Sequence, residues 1–253
     1  MNTTRRLLAA CALAFAATAL PHAQALDWGW TSGEQVQGNG KIERQARDLG
    51  PFTGIALSLP GKVEVRSGGR ESVTVETDGN LLPLIETVVE NGTLKIRTKN
   101  HENLKTRNLR FVVQARELQR LSVGGSGDIE AEAMRGERMQ ISVGGAGDVK
   151  VRKLDGGTLA IDVGGSGDVK VDDGSVRSLS ASIAGSGDVD IRRLRSDDAK
   201  VNIAGSGDAK VWVRNDLNVS IAGSGDVEYY GDARVHKSVA GSGSVQRAGG
   251  APH

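Results

Sequence analysis

The chain is poor in the residues that form disulfides and aromatic pockets. Its 253 residues include one Cys, three Trp, two Tyr and three Phe. The core must therefore be aliphatic, and a pocket lined by Trp or Tyr is not expected. Proline is scarce at 5 residues, whereas the 35 glycines are about twice the usual share. This composition excludes a Pro-rich linker and predicts tight turns or close backbone packing.

Charge of one sign is also lacking. Lys and Arg number 32 and Asp and Glu 31. Such a balance provides no basic field to attract nucleic acid or an acidic membrane surface. We therefore expect neither as a partner.

Residues 1–25 have the features of a secretory signal peptide. Two arginines precede an apolar run over residues 7–20, and Ala23-Gln24-Ala25 matches a small-x-small cleavage site. The run is too short to span a bilayer. We expect cleavage after Ala25, no transmembrane segment in the mature chain, and a periplasmic or secreted location. A lipoprotein beginning at Cys11 is the disfavoured alternative, because only four apolar residues separate that cysteine from Arg6.

An internal repeat dominates the second half of the chain. Seven copies of a motif such as SVGGSGDIE follow one another over residues 122–246. The aspartates of the first six copies are Asp128, Asp148, Asp168, Asp188, Asp208 and Asp226, and Ser244 takes the seventh place. The steps are 20 residues and then 18. So regular a step indicates stacked coils of a solenoid.

Alignment on the aspartate produces apolar columns two residues apart, which is the periodicity of a strand. One column contains Ile129, Val149, Val169, Val189, Ala209 and Val227, and the next contains Ala131, Val151, Val171, Ile191, Val211 and Tyr229. These columns predict an all-β fold, a parallel β-helix with coils of 18–20 residues. The general preference for right-handed crossovers favours the right hand. Turns are expected at Asp155-Gly156-Gly157 and Asp172-Asp173-Gly174.

Residues 26–120 lack the motif but also alternate as strands do. Asn91-Gly92 favours a tight hairpin. We expect these residues to form irregular coils that cover one end of the solenoid, residues 121–247 to form the repeats, and residues 248–253 to be a disordered tail. No linker separates the parts, so residues 26–247 are predicted to form one continuous domain.

The aspartates would form a ladder with about 4.8 Å between neighbours. Two roles are open: the carboxylates accept hydrogen bonds from turn backbone or nearby serines, or they collect divalent cations. We favour the first role and expect no metal and no cofactor, because one carboxylate per coil supplies few of the oxygens that calcium requires.

Few side chains offer a binding site. Trp212, Tyr229 and Tyr230 are the candidate sugar platform in the repeats, and Trp28 and Trp30 are candidates to anchor the terminus or a partner. No catalytic residue is predicted, because the repeated carboxylates are equivalent and acid–base chemistry on sugars requires two distinct ones.

Several short motifs follow one another along the chain: Gly38-Asn39-Gly40, Phe52-Thr53-Gly54-Ile55, Leu81-Leu82-Pro83, Asn91-Gly92-Thr93-Leu94 and the Ser-Gly-Asp cores. Through these motifs nearly the whole mature chain resembles the head GIN domain family, labelled auto-transporter adhesins. The resemblance implies a parallel β-helix, export and adhesion, with no catalytic residues to carry over. Because no translocating barrel follows Val245, we expect a free module.

Together these features predict a non-enzymatic exported module that acts as an adhesion or recognition surface in the bacterial envelope. Its partner would be a cell-surface protein or a polysaccharide. The alternative is a polysaccharide-active enzyme of the pectin-lyase-like β-helix type, because that fold supports both functions.

Overall fold

A computed structural model describes residues 35–252, which form strands, two short 3-10 helices and turns. The strands before the repeats are β1 (Gln35–Gln37), β2 (Ile42–Asp48), β3 (Gly54–Leu57), β4 (Lys62–Ser67), β5 (Ser72–Asp78), β6 (Ile85–Glu90), β7 (Thr93–Thr98), β8 (Asn103–Lys105) and β9 (Arg110–Ala115). The 3-10 helices are Leu82–Leu84 and Lys99–His101. The strands of the repeats are β10 (Arg120–Val123), β11 (Asp128–Val143), β12 (Val149–Val163), β13 (Val169–Val171), β14 (Gly174–Ile183), β15 (Val189–Gly205), β16 (Ala209–Gly223), β17 (Val227–Tyr230), β18 (Arg234–Gly241) and β19 (Val245–Gly249).

The repeats stack as a parallel β-solenoid, as the sequence predicts. Each strand pairs in parallel with the equivalent strand of the next coil, so that Ile129 lies beside Val149 and Val149 beside Val169. The predicted turn at Asp155-Gly156-Gly157 is wrong, because β12 continues through it. Gly156 has register partners on both sides, Gly136 in β11 and Val176 in β14, so this segment pairs as a strand with both neighbouring coils.

The aliphatic columns form the core. The side chains of both columns are buried from the coil of Ile129 to that of Val211, and Val227 is also buried. In the last coil the burial fails: Tyr229, Val235 and Val245 are half-buried, and Val239 is 40% exposed. Among the described residues β18 and β19 each have a neighbouring strand on one side only, whereas β17 lies between β16 and β19.

The repeated glycines are required by the close approach of stacked backbones. A Cβ atom placed on Gly167 would lie 2.1 Å from the carbonyl oxygen of Gly147 in the preceding coil. The same clash, at 2.2 Å, would occur between Gly187 and Gly167. Any side chain here would force the coils apart, so the motif repeats with the coils for a structural reason.

The coils before the repeats are stacked in an order that differs from chain order. The coil of β3 and β4, here called the inserted coil, lies between the coil of β7 and β9 and the first repeat coil, because β3 pairs with both β7 and β10 and β4 with both β9 and β11. All four pairings are parallel. Residues expected to be irregular thus include regular coils.

Antiparallel strands complete that end. β2 pairs with β5, β5 with β9, and β6 with β7. The hairpin predicted at Asn91-Gly92 joins β6 to β7, and both residues have the positive φ that such turns require (51° and 72°). Leu81 and Leu82 are buried beside these strands.

The last strand ends at Gly249, so the predicted boundary at residue 247 is two residues too early. Within residues 35–252 no helix has the length and apolarity needed to cross a membrane.

Candidate functional site

One outward side of the solenoid carries most of the charged contacts between coils, and we call it the charged face. It has the aspartate ladder along one border. Two residues further along each coil is a second column, which consists of Glu64, Glu130, Lys150, Lys170, Asp190, Lys210 and Glu228. Further along the coils are Arg152, Arg192 and the register partners Trp212 and Tyr230; a register shift after Ile191 pairs Trp212 with Arg195 rather than with Arg192. The columns point outward because they alternate with the buried aliphatic columns.

The aspartate ladder is bonded to the backbone. In each coil Oδ1 of the aspartate accepts a hydrogen bond from the backbone N–H at the same position of the next coil. The bonds run from Asp148 to Asp128 at 3.0 Å, from Asp168 to Asp148 at 2.9 Å, from Asp188 to Asp168, Asp208 to Asp188 and Asp226 to Asp208 at 2.8 Å, and from Ser244 to Asp226 at 2.7 Å. The carboxylates therefore supply acceptors that the backbone ladder lacks at this corner.

This arrangement matches the hydrogen-bonding role that the sequence favours, with the donor in the adjacent coil rather than in the residue's own turn. The aspartate side chains are at the surface, so their second oxygens face solvent. Among residues 35–252 no group of three or more His, Cys, Asp and Glu side chains is arranged to hold a metal ion.

Ion pairs join successive coils across the charged face. Glu130 contacts both Lys62 and Arg152 at 3.0 Å. The hydrogen bond from Arg152, followed by that from Lys62, holds the pKa of the Glu130 carboxyl below its usual value. Arg110 donates to both oxygens of Glu64 at 2.6 and 2.7 Å and lowers the pKa of that carboxyl in the same way. These contacts pair charges of the second column with cations, whereas no ion pair of the described residues involves the ladder aspartates.

The structure separates the three predicted platform residues. Trp212 and Tyr230 are register partners on the outward side of β16 and β17, so their backbones are about one strand spacing, ~4.8 Å, apart. Tyr229 lies in an inward column and packs against the core. A platform of all three residues is therefore wrong, and two remain together. Trp28 and Trp30, like the signal peptide and its cleavage site, lie outside the described residues.

The aromatic pair is surrounded by polar groups that alternation alone does not reveal. The Tyr230 hydroxyl donates to Oε1 of Glu228 at 2.7 Å, and this hydrogen bond together with desolvation raises the pKa of Tyr230. Arg192 donates to both oxygens of Asp190 at 2.8 and 2.9 Å. Burial acts to raise the pKa of Asp190, but the bonds from Arg192 outweigh it and lower that pKa.

A groove of about 520 Å³ lies at the last coils of the charged face; Trp212 and Tyr230 do not line it, but Glu228, which accepts the hydrogen bond from the Tyr230 hydroxyl, does. It is lined by Asp208, Lys210, Asp226, Glu228, Ser244, Gln246 and Arg247, among others. Asp208 and Asp226 belong to the predicted ladder, but no sequence pattern singled out Lys210, Glu228, Gln246 and Arg247 as a site. The column alignment could have found Lys210 and Glu228, because they occupy one position of the repeat two residues after the aspartate.

The fold and this face together define the class of protein: a β-solenoid with a filled aliphatic core and surface grooves lined by charged and polar side chains. The family described as "Putative auto-transporter adhesin, head GIN domain" matches residues 51–233, and the chain belongs to that family. No protein of curated function matches the sequence.

Several solved structures are similar to this chain. A "putative adhesin" from Bacteroides fragilis superimposes with a TM-score of 0.79 at 20% identity, over 84% of this chain and 99% of that one. A "putative lipid binding protein" from Parabacteroides distasonis has a TM-score of 0.68 at 28% identity, over 85% and 100%. A "putative adhesin" from Parabacteroides merdae has a TM-score of 0.64 at 19% identity, over 85% and 100%.

Proposed function

We propose that this protein is an exported, non-enzymatic adhesion module of the bacterial envelope, and that it binds a polysaccharide or a cell-surface protein through the charged face. The observation that carries the proposal is the pairing of Trp212 with Tyr230 on the outward side of β16 and β17, beside a polar groove. The family description supports the adhesive role.

The pair has the properties of a small recognition site. Aromatic rings supply apolar contact area at low cost in side-chain entropy, and their polar tips form hydrogen bonds. Glu228 holds the Tyr230 hydroxyl and so restricts the ring. Lys210 and Gln246, which line the adjacent groove, provide donors for hydroxyl or carbonyl groups. A ligand chain lying along the solenoid axis would contact several coils at once.

An enzyme of the pectin-lyase-like type is the less supported alternative. Glycoside hydrolysis requires an acid and a base or nucleophile in different environments. Here the ladder carboxylates share one environment, because each accepts the same backbone hydrogen bond from the next coil. The family and structural neighbours also supply no support for that alternative.

Export is part of the proposal and has its own test. The intact mass of protein recovered from the envelope should correspond to a chain that begins at Leu26. A mass that matches a lipid-modified chain beginning at Cys11 would instead make the protein a lipoprotein.

The binding role is tested with a glycan array and with bacterial cell binding, both read with the purified mature protein. Replacing Trp212 or Tyr230 with Ala should weaken binding at least tenfold, because each change removes a contact ring. Asn218→Ala, on a different outward column, is the matched control and should leave binding unchanged.

Equal binding by all four proteins would place recognition elsewhere on the molecule. Phospholipid vesicles should be a further arm, because the Parabacteroides distasonis relative is described as lipid-binding. Vesicle binding that is lost in Trp212→Ala would assign the aromatic pair to lipid instead.

A further inference from the structure

A cleft of about 450 Å³ opens near the other end of the solenoid, away from the aromatic pair. It exists because the inserted coil ends before the position at which the later coils continue into their next strand segment. β4 ends at Ser67 and the chain then leaves for the antiparallel strand β5. The corner of β11 around Arg135 therefore has a neighbouring strand only on the β12 side.

The chain crosses this gap once. After β9, residues 116–119 step over the inserted coil to reach β10, and the carbonyl of Leu118 accepts a hydrogen bond from the backbone N–H of Arg135 at 3.1 Å. On the inner side are Val65, Ala115 and Leu118, each 3–4% exposed. Backbone hydrogen bonds therefore hold the segments on both sides of the cleft in place.

Three arginines line the cleft: Arg66, Arg116 and Arg135. Nε of Arg116 donates to the carbonyl of Gly69 at 2.6 Å, which fixes the guanidinium while its other nitrogens remain available. Arg66 is 3.5 Å from Glu64, whose two oxygens are already taken at shorter distance by Arg110. Within residues 35–252, Arg135 makes no side-chain hydrogen bond or ion pair.

Several acidic groups lie near these arginines, but only one of them lines the cleft. Glu117 is the one carboxylate among the lining residues. Glu132, on the adjacent turn of β11, accepts a hydrogen bond from the backbone N–H of Ser67 at 3.0 Å. Arg116 also lies 3.8 Å from Glu71, too far for a hydrogen bond. The side chains that line the cleft, three arginines and one glutamate, therefore carry a net charge of +2 (3 − 1), and Glu71 and Glu132 lie outside that lining.

We propose that this cleft binds the carboxylate of an acidic saccharide, a hexuronate unit, as a second recognition site distinct from the aromatic pair. Arginine recognises carboxylates through paired N–H donors in a planar fork. Ser67, Glu117 and Gln119 also line the cleft and offer donors and acceptors for ring hydroxyls. The volume lies within the range of small-ligand sites.

An acyl chain fits the cleft poorly. The apolar residues of its inner side are almost completely covered, so they present no surface on which a lipid tail could lie. The charged side chains of the lining, Arg66, Arg116, Arg135 and Glu117, favour a hydrated anionic ligand.

The test is calorimetric titration of the mature protein with oligogalacturonate, with a neutral galacto-oligosaccharide of equal length as the matched ligand. We expect binding of the acidic oligomer, no measurable binding of the neutral one, and weaker binding at high salt. Arg135→Gln should reduce the affinity at least tenfold, since it removes one fork without breaking an internal contact.

Arg138→Gln is the matched control, because Arg138 is exposed on the same strand but does not line the cleft. The affinity of this variant for the acidic oligomer should stay within twofold of that of the wild type. Trp212→Ala should also bind the acidic oligomer normally. Loss of binding in Trp212→Ala rather than in Arg135→Gln would overturn the cleft assignment while supporting the charged-face proposal.

Three other results would overturn the assignment. They are equal affinity for the neutral oligomer, inorganic phosphate that competes as strongly as oligogalacturonate, and phosphatidic acid vesicles whose binding is lost in Arg135→Gln. Circular dichroism of each variant verifies that it is folded.

Discussion

The two ends of the solenoid are protected in different ways. At the N-terminal end, antiparallel strands and the segment around Leu81 cover the aliphatic columns, and Leu81 is fully buried. At the C-terminal end no such layer is present among the described residues, and Val239 is 40% exposed. An uncovered sheet edge promotes association, so each end must solve the same problem.

At the C-terminal end, residues of the last coil oppose association through the uncovered edge. Lys237 occupies the column that contains Ile161, Ala181, Val201 and Val219 in the preceding coils. A coil stacked on it would have to bury an ammonium group. Ser244 replaces the repeated aspartate and so interrupts the series of acceptors that joins each coil to the next. The comparison teaches that an end can be covered or made unsuitable for pairing.

The largest expected effect is a charge placed in the covered end. Leu81→Asp should lower the free energy of unfolding by about 4 kcal/mol, because the carboxylate is buried without a partner or must be protonated. Val239→Asp is the matched change at the exposed end and should cost less than about 1 kcal/mol. Urea denaturation followed by circular dichroism measures both. Similar losses at the two ends would contradict the difference in covering.

A smaller effect is expected from the aspartate ladder. Asp168→Ala removes the acceptor of the Asp188 N–H and should cost about 1–2 kcal/mol, whereas Asp168→Asn keeps an acceptor oxygen and should cost less than about 0.5 kcal/mol. Ser244→Ala should have almost no effect, since no backbone amide bonds to that side chain in the described residues and the hydrogen bond that it accepts from the side-chain amide of Gln246, at 3.2 Å, is exposed. Thermal melts measure all three variants.

The same melts distinguish the two roles considered for the ladder. With a purely hydrogen-bonding role, millimolar calcium should leave the melting temperature unchanged. A calcium-dependent rise that disappears in Asp148→Asn combined with Asp168→Asn would show cation binding by the ladder.

Lys237→Val is expected to have a small effect on the free energy of unfolding and a clear effect on association. Restoring the aliphatic column should raise the free energy of unfolding by less than about 1 kcal/mol and produce concentration-dependent dimers by light scattering. Lys200→Val, on an outward column, is the control, and its free energy of unfolding and its association should equal those of the wild type. Unchanged association in Lys237→Val would mean that this lysine does not protect the edge.

The repeats were predictable because their signal is local and repeated. A step of 20 residues with alternating apolar positions placed Val149 and Val169 side by side and inward, as the structure has them. The same alternation already placed Tyr229 in an inward column, so Tyr229 could have been separated from Tyr230 before the structure was known. A single turn motif misled at Gly156, because its strand is held on both sides by neighbouring coils.

The sequence by itself determined the stacked coils, the composition of the core and the identity of the ladder, because each depends on a spacing that recurs along the chain. Only the tertiary structure decided the order of the first coils and the meeting of Arg66, Arg116 and Arg135 around one cleft. These depend on pairing between segments distant in sequence, whose hydrogen bonds are made by backbone and leave no residue pattern of their own. Local alternation specifies which side of a strand is buried, and it does not specify which strand lies beside it.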